Sequence, residues 1–461
     1  MDIKLTNTLT RKKEVFEPIH TGKVSLYSCG PTVYRKVSIG NLRTYIFTDI
    51  LRRVLEFNGY EVKHVMNITD VGHLTDDADE GEDKMILAMR EEGKDAFEIA
   101  DYYTRLFLKD VERLNLLEPT IMPKATEHIE QQIEYIKDLE AKGFTYQTSD
   151  GIYFDTSLLK DYGKLLGQKA EEKEEGARVE KNLEKKNPTD FALWKFSPKG
   201  EKRQMEWESP WGTGFPGWHI ECSAMSEEYL DTPFDIHTGG IDLAPVHHTN
   251  EIAQTQGARG HDPVNFWMHG EFLMVDGGKM SKSLKNTYTI DDLIEKDFDP
   301  LSFRYFTLGA HYSTPLNFTW KALEAAQNAL FKLYDAARGW QTPTEADQEE
   351  VEKFQEKVSE DLDMPGAVAE LWRVVNNEEM TSAVKAATVL KFDQVLGLRL
   401  DEYVAQPLEI PQDVLKMLDD RRSAREIRDF ERSDELRDEI AEKGFLVEDT
   451  PEGQRVRIKH F

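Results

Sequence analysis

Two lysines that lie close together in the chain could bind phosphate groups. Lys279 and Lys282 are three residues apart and directly follow Gly277 and Gly278. Their ammonium groups sit on long side chains that can reach phosphates, and glycines let a backbone approach a ligand closely. A lone lysine pair of this kind is more often a solvent-exposed basic loop. Phosphate binding is therefore expected if the rest of the chain supplies a nucleotide site.

Two cysteines and a histidine–glutamate pair could bind a metal ion. The chain has two cysteines, Cys29 and Cys222. If the segment that contains His247 and Glu251 is helical, these two side chains lie on one face because they are four residues apart. Two thiolates, an imidazole and a carboxylate form a plausible tetrahedral zinc shell. His248 is the competing imidazole, and an ordinary surface pair is the alternative interpretation.

The composition limits the class of protein. The sequence has 461 residues, a formal net charge of −28 and 31% charged residues. This acidity argues against non-specific binding of nucleic acid, which depends on neutralising phosphates, although a local basic patch can still bind one. The sequence lacks an apolar run of membrane-spanning length and an apolar signal segment near the N-terminus. We therefore expect a cytoplasmic protein with no membrane partner.

The elements that must position these groups begin with a strand, a glycine turn and a helix. Residues 24–29 alternate in polarity and predict a strand, a helix begins near residues 38–41, and residues 60–66 predict the next strand. This βαβ unit indicates a parallel sheet. Ligands in such sheets bind at the carboxyl ends of the strands. Cys29 and Thr69 are both expected at such ends.

The rest of the chain suggests several domains. Residues 144–155 predict a hairpin, a helix is expected to begin near Ser223, and the pattern becomes strongly helical from Trp320. The C-terminal region carries an expected basic face: Arg421, Arg422, Arg425, Arg428 and Arg432. The predicted divisions are residues 1–125, 126–205, 206–257, 258–322, 323–405 and 406–461, in which 126–205 is an insertion into the sheet domain and 323–405 is a helical bundle.

Seven short motifs occur in a fixed order, at residues 29–34, 39–45, 67–70, 191–195, 216–225, 245–251 and 279–283. Together they resemble the class I aminoacyl-tRNA synthetases, and most closely the cysteinyl-tRNA synthetase family. The resemblance runs nearly end to end. It implies an α/β fold with a Rossmann-like parallel-sheet catalytic domain, an inserted connective region, a helical bundle and a small C-terminal mixed α/β domain. By this resemblance, residues 1–125 and 206–257 would be the two halves of the catalytic domain, 126–205 the connective insertion, 258–322 a stem-contact region and 406–461 an anticodon-binding domain.

The resemblance also implies a set of site residues. One Zn²⁺ ion would bind the thiolate of the substrate cysteine, which distinguishes cysteine from serine because sulfur is the far better zinc ligand. The implied zinc ligands are Cys29, Cys222, His247 and Glu251. The implied amino-acid pocket contains Thr69, Trp218 and His237. The implied ATP site contains Gly40, Asn41, Gly239, Asp242, Lys279 and Lys282.

The implied reaction has two steps. The carboxylate of L-cysteine attacks the α-phosphate of ATP to give cysteinyl-adenylate and pyrophosphate, and the terminal adenosine of tRNA(Cys) then takes the cysteine. Lys279 and Lys282 would stabilise phosphate charge together with Mg²⁺, with Ser38 and Asn41 beside them as catalytic candidates. The protein is expected to be a monomer.

The chain departs from the family pattern at two positions. Ser38 stands where the first signature normally has histidine, and Val456 stands where the C-terminal region often has tryptophan. Two alternative functions follow: a cysteine ligase that uses a small amine as acceptor, and a non-catalytic relative that binds tRNA. The basic C-terminal region favours tRNA over a small amine. The complete lysine loop and metal set argue against a non-catalytic protein.

Overall fold

The computed structural model describes residues 1–72, 84–165, 183–198, 203–280, 286–450 and 453–458. These residues divide into two compact units. The first unit contains residues 1–289, 310–317 and 356–363, and the second contains residues 290–309, 318–355 and 364–461. The division into six domains predicted from the sequence is finer than this and stays a prediction.

Most strands of the described residues belong to the first unit. The strands are β1 (Lys4–Asn7), β2 (Lys12–Val15), β3 (Lys23–Ser28), β4 (Glu61–Met66), β5 (Thr145–Gln147), β6 (Gly151–Phe154), β7 (Phe191–Phe196), β8 (Gly214–Pro216), β9 (Phe234–Gly240), β10 (Val264–Gly270), β11 (Leu273–Val275), β12 (Gly278–Lys279), β13 (Leu316–Phe318), β14 (Phe445–Thr450) and β15 (Gly453–Ile458).

Helices cover the sheet of the first unit and make up most of the second. The α-helices are α1 (Ile39–Phe57), α2 (Lys84–Glu92), α3 (Ala96–Arg113), α4 (Ile129–Ala141), α5 (Trp218–Leu230), α6 (Thr249–Arg259), α7 (Ile290–Ile294), α8 (Pro300–Leu308), α9 (Trp320–Arg338), α10 (Gln348–Ser359), α11 (Met364–Val375), α12 (Ser382–Leu396), α13 (Gln412–Glu426) and α14 (Phe430–Glu442).

The central sheet of the first unit is parallel, with the strand order β10-β9-β3-β4. Helix α1 connects β3 to β4, which confirms the predicted βαβ unit and the α/β fold class. Its apolar stripe packs inward because Leu42, Ile46, Ile50 and Val54 are all buried. The carboxyl ends of β3 and β9 lie side by side, with Tyr27 opposite His237. This edge of the sheet is where the predicted ligands converge.

An antiparallel sheet with the order β5-β6-β7-β8 follows in the first unit. The predicted hairpin is confirmed, with β5 paired to β6. The helix expected near Ser223 instead begins at Trp218, directly after the extended Gly217. This boundary prediction was wrong because β8 delivers the chain straight into the helix. As a result Cys222 lies on α5, with its side chain buried.

The second unit is helical, as the sequence predicts, and ends in a small mixed domain. The apolar stripe of α9 is buried at Leu323, Leu330 and Leu333. In the C-terminal part, α13 and α14 pack with the β14–β15 hairpin around a core of Val414, Leu418, Ile440 and Val447.

One predicted member of the C-terminal basic face is structural. Arg421 is buried, and its guanidinium donates to both carboxylate oxygens of Asp449 at 3.0 and 2.9 Å. A fork-shaped pair of this kind neutralises the charge inside the domain. The prediction that Arg421 belongs to an exposed basic face was therefore wrong.

Among the described residues, no helix is both long enough and apolar enough to span a membrane.

Candidate active site

Four potential metal ligands meet at the carboxyl edge of the parallel sheet. Cys29 directly follows β3, Cys222 lies on α5, His247 lies in a π-helical turn, and Glu251 lies on α6. Their ligand atoms all lie within 4.8 Å of one another. The two sulfur atoms are 4.0 Å apart, and His247 Nε2 is 3.0 Å from Glu251 Oε1. These separations suit a tetrahedral site with zinc–sulfur bonds of about 2.3 Å.

A second set of four groups overlaps the first. Cys29 and Glu251 also form a compact cluster with His237 and His248, again within 4.8 Å. His248 Nε2 lies 3.3 Å from Cys29 Sγ, and its other ring nitrogen is 2.7 Å from His269 Nε2. His237 Nε2 lies 2.9 Å from Glu251 Oε2. The competition between His247 and His248 that the sequence leaves open is therefore a competition between two complete sets.

The chemistry of the first set fits zinc. Glu251 Oε1 is buried and accepts no hydrogen bond, so a lone pair is available to a metal despite the ion pair with His247. A hydrogen bond from Cys29 lowers the pKa of the Cys222 thiol to about 7, and the charge of His247 adds to this effect. Thiolate is the form of cysteine that binds metals. Both thiols enter this set, whereas the second set uses one.

Charge is concentrated on the carboxylate of this cluster. Burial opposes ionisation of Glu251, but His237 and His247 outweigh it and lower the pKa of the carboxyl group to about 2. Burial likewise opposes protonation of His247, yet Cys222 and Glu251 raise its pKa to about 10. In the metal-free cluster these shifts favour a negative charge on Glu251 and a proton on His247, and a bound divalent cation would replace that proton.

An open cleft with an accessible volume of about 190 Å³ lies beside this cluster. Cys29 belongs both to the metal cluster and to the cleft wall, and the Trp218 ring forms another part of that wall at 4.5 Å from the His247 ring. The predicted nucleotide residues that line the cleft are Asn41 and Asp242. The cleft therefore joins the cysteine-lined end to the start of α1.

Several predicted site residues lie behind the cleft wall. Thr69 is buried, and its hydroxyl accepts a hydrogen bond from Asn67. His237 is also fully buried and contacts Glu251. A Cβ atom at Gly239 would lie 2.6 Å from the His248 ring, so this glycine makes room for a histidine. The adjacent Gly240 lines the cleft instead.

Ser38 caps helix α1. Its hydroxyl accepts a hydrogen bond from the Asn41 backbone N–H at 3.3 Å and donates to Asn41 Oδ1 at 2.7 Å. Asn41 lines the cleft. The serine hydroxyl thus orients the Asn41 side chain. It also accepts a hydrogen bond from a backbone N–H that would have no partner within the first turn of the helix.

Replacing Ser38 by alanine is expected to lower stability by about 1 kcal/mol, because the first turn of α1 loses its cap. A melting temperature lower by roughly 2 °C would report this loss. Ser38→Thr keeps the hydroxyl and should melt close to the wild type. If Ser38→Ala melts as the wild type does, the hydroxyl does not act as a cap.

The lysine loop begins in a tight hairpin. Strands β11 and β12 are joined by Asp276 and Gly277, both with positive φ, which is the geometry of a two-residue hairpin turn. Lys279 is exposed at the end of β12. Met280 packs against Gly40 of α1, since a Cβ atom at Gly40 would lie 3.4 Å from the Met280 sulfur. The loop therefore starts against α1, while Lys282 lies outside the described residues.

A buried arginine fixes the segment that leads into this hairpin. Arg43, on α1, donates to the carbonyl oxygens of Glu271 at 2.8 Å and Phe272 at 2.6 Å. It also donates to the carbonyl oxygen of Thr314 at 2.6 Å. Burial lowers the pKa of Arg43 to about 10, so it remains charged at neutral pH. The helix that carries Asn41 is thereby tied to the start of the lysine loop.

Three basic residues of the cleft wall were missed by the sequence predictions: Arg35, Lys36 and Lys84. Arg35 and Lys36 lie in the turn before α1, so their position next to Ser38 was an available signal. Lys84 lies far along the chain, and its ammonium group is 5.6 Å from the Trp218 ring. Periodicity could not bring Lys84 to the cleft because that contact depends on the packing of distant segments.

Comparison with known proteins identifies the family. Residues 15–328 match a model described as the tRNA synthetases class I (C) catalytic domain. Residues 409–457 match a model described as the cysteinyl-tRNA ligase anticodon binding domain. The chain is 50% identical over 457 residues to cysteine–tRNA ligase 1 of Burkholderia lata, covering 99% of this chain and 97% of that protein. It is 43% identical over 482 residues to the cysteine–tRNA ligase of Treponema denticola, covering 97% and 98%.

Solved structures show the same fold at low sequence identity. Mycobacterium tuberculosis methionyl-tRNA synthetase in complex with methionyl-adenylate has a TM-score of 0.54 and 15% identity, covering 84% of this chain and 92% of that one. The LeuRS of Agrobacterium radiobacter K84, in a ternary complex, has a TM-score of 0.58 and 12% identity, covering 84% and 85%.

Proposed function

The chain belongs to the cysteine–tRNA ligase family of the class I tRNA synthetases, and from this membership we propose the reaction that it catalyses. It activates L-cysteine with ATP to give cysteinyl-adenylate and pyrophosphate. It then transfers the cysteine to the 3′-terminal adenosine of tRNA(Cys). The observation that carries this proposal is the double position of Cys29, which belongs to the metal cluster and also lines the cleft.

Zinc is the proposed means of selecting cysteine, held by Cys29, Cys222, His247 and Glu251. When bound, the ion would favour the ionised thiol of the substrate over the hydroxyl of serine. The protein residues do the remaining work of selection. Glu251 is held by His237 at 2.9 Å, and Trp218 packs against His247 at the cleft wall. Both contacts would keep the ligands aimed at the thiol.

The nucleotide is proposed to bind at the other end of the cleft, with Mg²⁺ on its phosphates. Asn41, Gly240 and Asp242 line this end. Lys279, with Lys282, would close over the phosphates as charge develops on them. Gly40 stays among the predicted nucleotide residues, and it packs against Met280 of the lysine loop. Positioning of this kind fits adenylate formation, which needs aligned groups more than a covalent intermediate.

The acceptor is proposed to be tRNA because of the C-terminal domain. A ligase that uses a small amine would not require a second unit, and residues 409–457 match an anticodon-binding model. Val456, at the position where the family often has tryptophan, packs against the core of this domain. Anticodon recognition would then use other residues. A monomer in the cytoplasm stays a prediction from the sequence.

The test of this function is cysteine-dependent exchange of pyrophosphate into ATP, followed by charging of tRNA(Cys). Zinc-loaded protein is expected to catalyse exchange with cysteine and much less exchange with serine. Addition of tRNA(Cys) should then give cysteinyl-tRNA. A lack of exchange would overturn both enzyme functions, and exchange without charging would favour the small-amine ligase.

A further inference from the structure

Among the described residues, two of the three cations of the cleft wall lie in a segment outside the seven sequence motifs. Arg35 and Lys36 lie between β3 and α1, and both line the cleft together with Asn41, Gly240 and Asp242. We propose that Arg35 and Lys36 bind the phosphates of ATP and so stabilise adenylate formation. This inference rests on the proposed function and adds two residues to it.

The hydroxyl of Ser38 is engaged by the helix, so phosphate binding near the start of α1 requires other residues. Both hydrogen-bonding functions of its hydroxyl are directed to Asn41, as donor and as acceptor. Ser38 is not among the residues of the cleft wall, whereas its neighbours Arg35, Lys36 and Val37 are. Ser38 therefore caps α1, whereas Arg35 and Lys36 line the cleft.

The position of the two basic residues suits phosphates. They follow the carboxyl end of β3, the edge of a parallel sheet at which ligands bind, and they precede the N-terminus of α1, which favours anions. The guanidinium carbon of Arg35 lies 5.2 Å from the centre of the Tyr34 ring, a cation–π contact that limits its motion. Arginine can bind a phosphate with two parallel hydrogen bonds, and lysine adds a mobile point charge.

The charge of the whole protein makes local cations necessary. A chain with a formal net charge of −28 repels the negatively charged nucleotide at long range. The cleft itself carries the carboxylate of Asp242. Lys84 also lines the cleft, but its ammonium group lies over the Trp218 ring, next to the metal cluster. Among the described residues that line the cleft, Arg35 and Lys36 are the cations that directly precede α1 in the chain.

The phosphates of tRNA are the other ligand that Arg35 and Lys36 could bind. Pyrophosphate exchange contains no tRNA, so it separates ATP from RNA as the ligand. Arg35→Ala and Lys36→Ala are each expected to lower kcat/KM for ATP in exchange about tenfold, and the double variant about a hundredfold. The KM for cysteine and the zinc content should match the wild type. Arg35→Lys and Lys36→Arg should retain most of the activity because the charge remains.

Lys12→Ala is the matched control, since Lys12 is an exposed lysine on β2, outside the cleft wall. Its exchange kinetics should equal those of the wild type. The proposal is overturned if the double variant keeps wild-type kcat/KM for ATP, if Lys12→Ala loses as much, or if the loss appears in tRNA charging alone. It is also overturned if the double variant binds a non-hydrolysable ATP analogue as tightly as the wild type does.

These outcomes are separable from a failure of the proposed function. A wild-type protein without cysteine-dependent exchange would contradict the function, and this inference would fall with it. A wild-type protein with normal exchange and unaffected Arg35 and Lys36 variants would contradict this inference alone. Because both side chains are exposed, the variants should fold, and equal melting temperatures would verify this.

Discussion

Cys222→Ser is expected to lose its zinc and, with it, cysteine-dependent pyrophosphate exchange. The serine hydroxyl is a much poorer zinc ligand than the thiolate that Cys222 can supply with a pKa lowered to about 7. The affinity for zinc should fall by more than the roughly 10–100-fold that follows loss of an outer-shell partner. Zinc per chain, measured after dialysis against a weak chelator, reports the loss directly.

The matched comparison is His248→Gln, because the two overlapping ligand sets differ at this point. Cys222 and His247 belong to one set, and His237 and His248 belong to the other. If the first set binds the metal, His248→Gln retains zinc while Cys222→Ser does not. The reverse pattern would assign the metal to the second set. Cys29→Ser should lose zinc in either case because Cys29 belongs to both sets.

Lys282→Ala is expected to slow adenylate formation by about 10²–10³-fold, the usual effect of removing one group that stabilises the transition state. Binding of cysteine in the absence of ATP should be unchanged, because the metal cluster contains no residue of the lysine loop. The two measurements are pyrophosphate exchange at saturating cysteine and calorimetric titration of cysteine into the zinc-loaded protein. Lys282 itself lies outside the described residues, so this prediction rests on the motif and on the placement of its neighbours.

Two variants make this prediction specific. Lys282→Arg keeps the positive charge and should recover part of the rate. Lys279→Ala tests the exposed lysine at the end of β12 and should slow exchange less than Lys282→Ala if Lys282 makes the direct contact. An equal loss of cysteine binding and exchange in Lys282→Ala would show that the loop supports the whole site rather than the phosphates.

The fold around the site could be predicted because its signals are local. The alternation of β3, the apolar stripe of α1 and the turn between them lie in one continuous stretch. The rule that ligands meet at the carboxyl ends of parallel strands then places Cys29 correctly. The His-x-x-x-Glu spacing brings His247 and Glu251 together, as predicted, although the first of them lies in a π-helical turn.

The parts that could not be predicted depend on contacts between distant segments. Gly239 stays a predicted ATP residue, but the sequence did not reveal that its missing side chain makes space for His248. Arg421 was expected to be exposed, but β14 places Asp449 opposite its guanidinium. Local patterns in the sequence do not report which side chain fills a given space once segments pack. Residues in such positions therefore require a structure.

X-ray absorption at the zinc edge, with and without L-cysteine, tests most directly whether a metal ion selects the substrate. Cys29 and Cys222 should give two sulfur ligands in the free protein, and the substrate thiolate should add a third. Serine should leave the count unchanged. A single sulfur ligand in the free protein would assign the metal to the set with His237 and His248. A count that does not rise with cysteine would contradict selection of the substrate through its thiol.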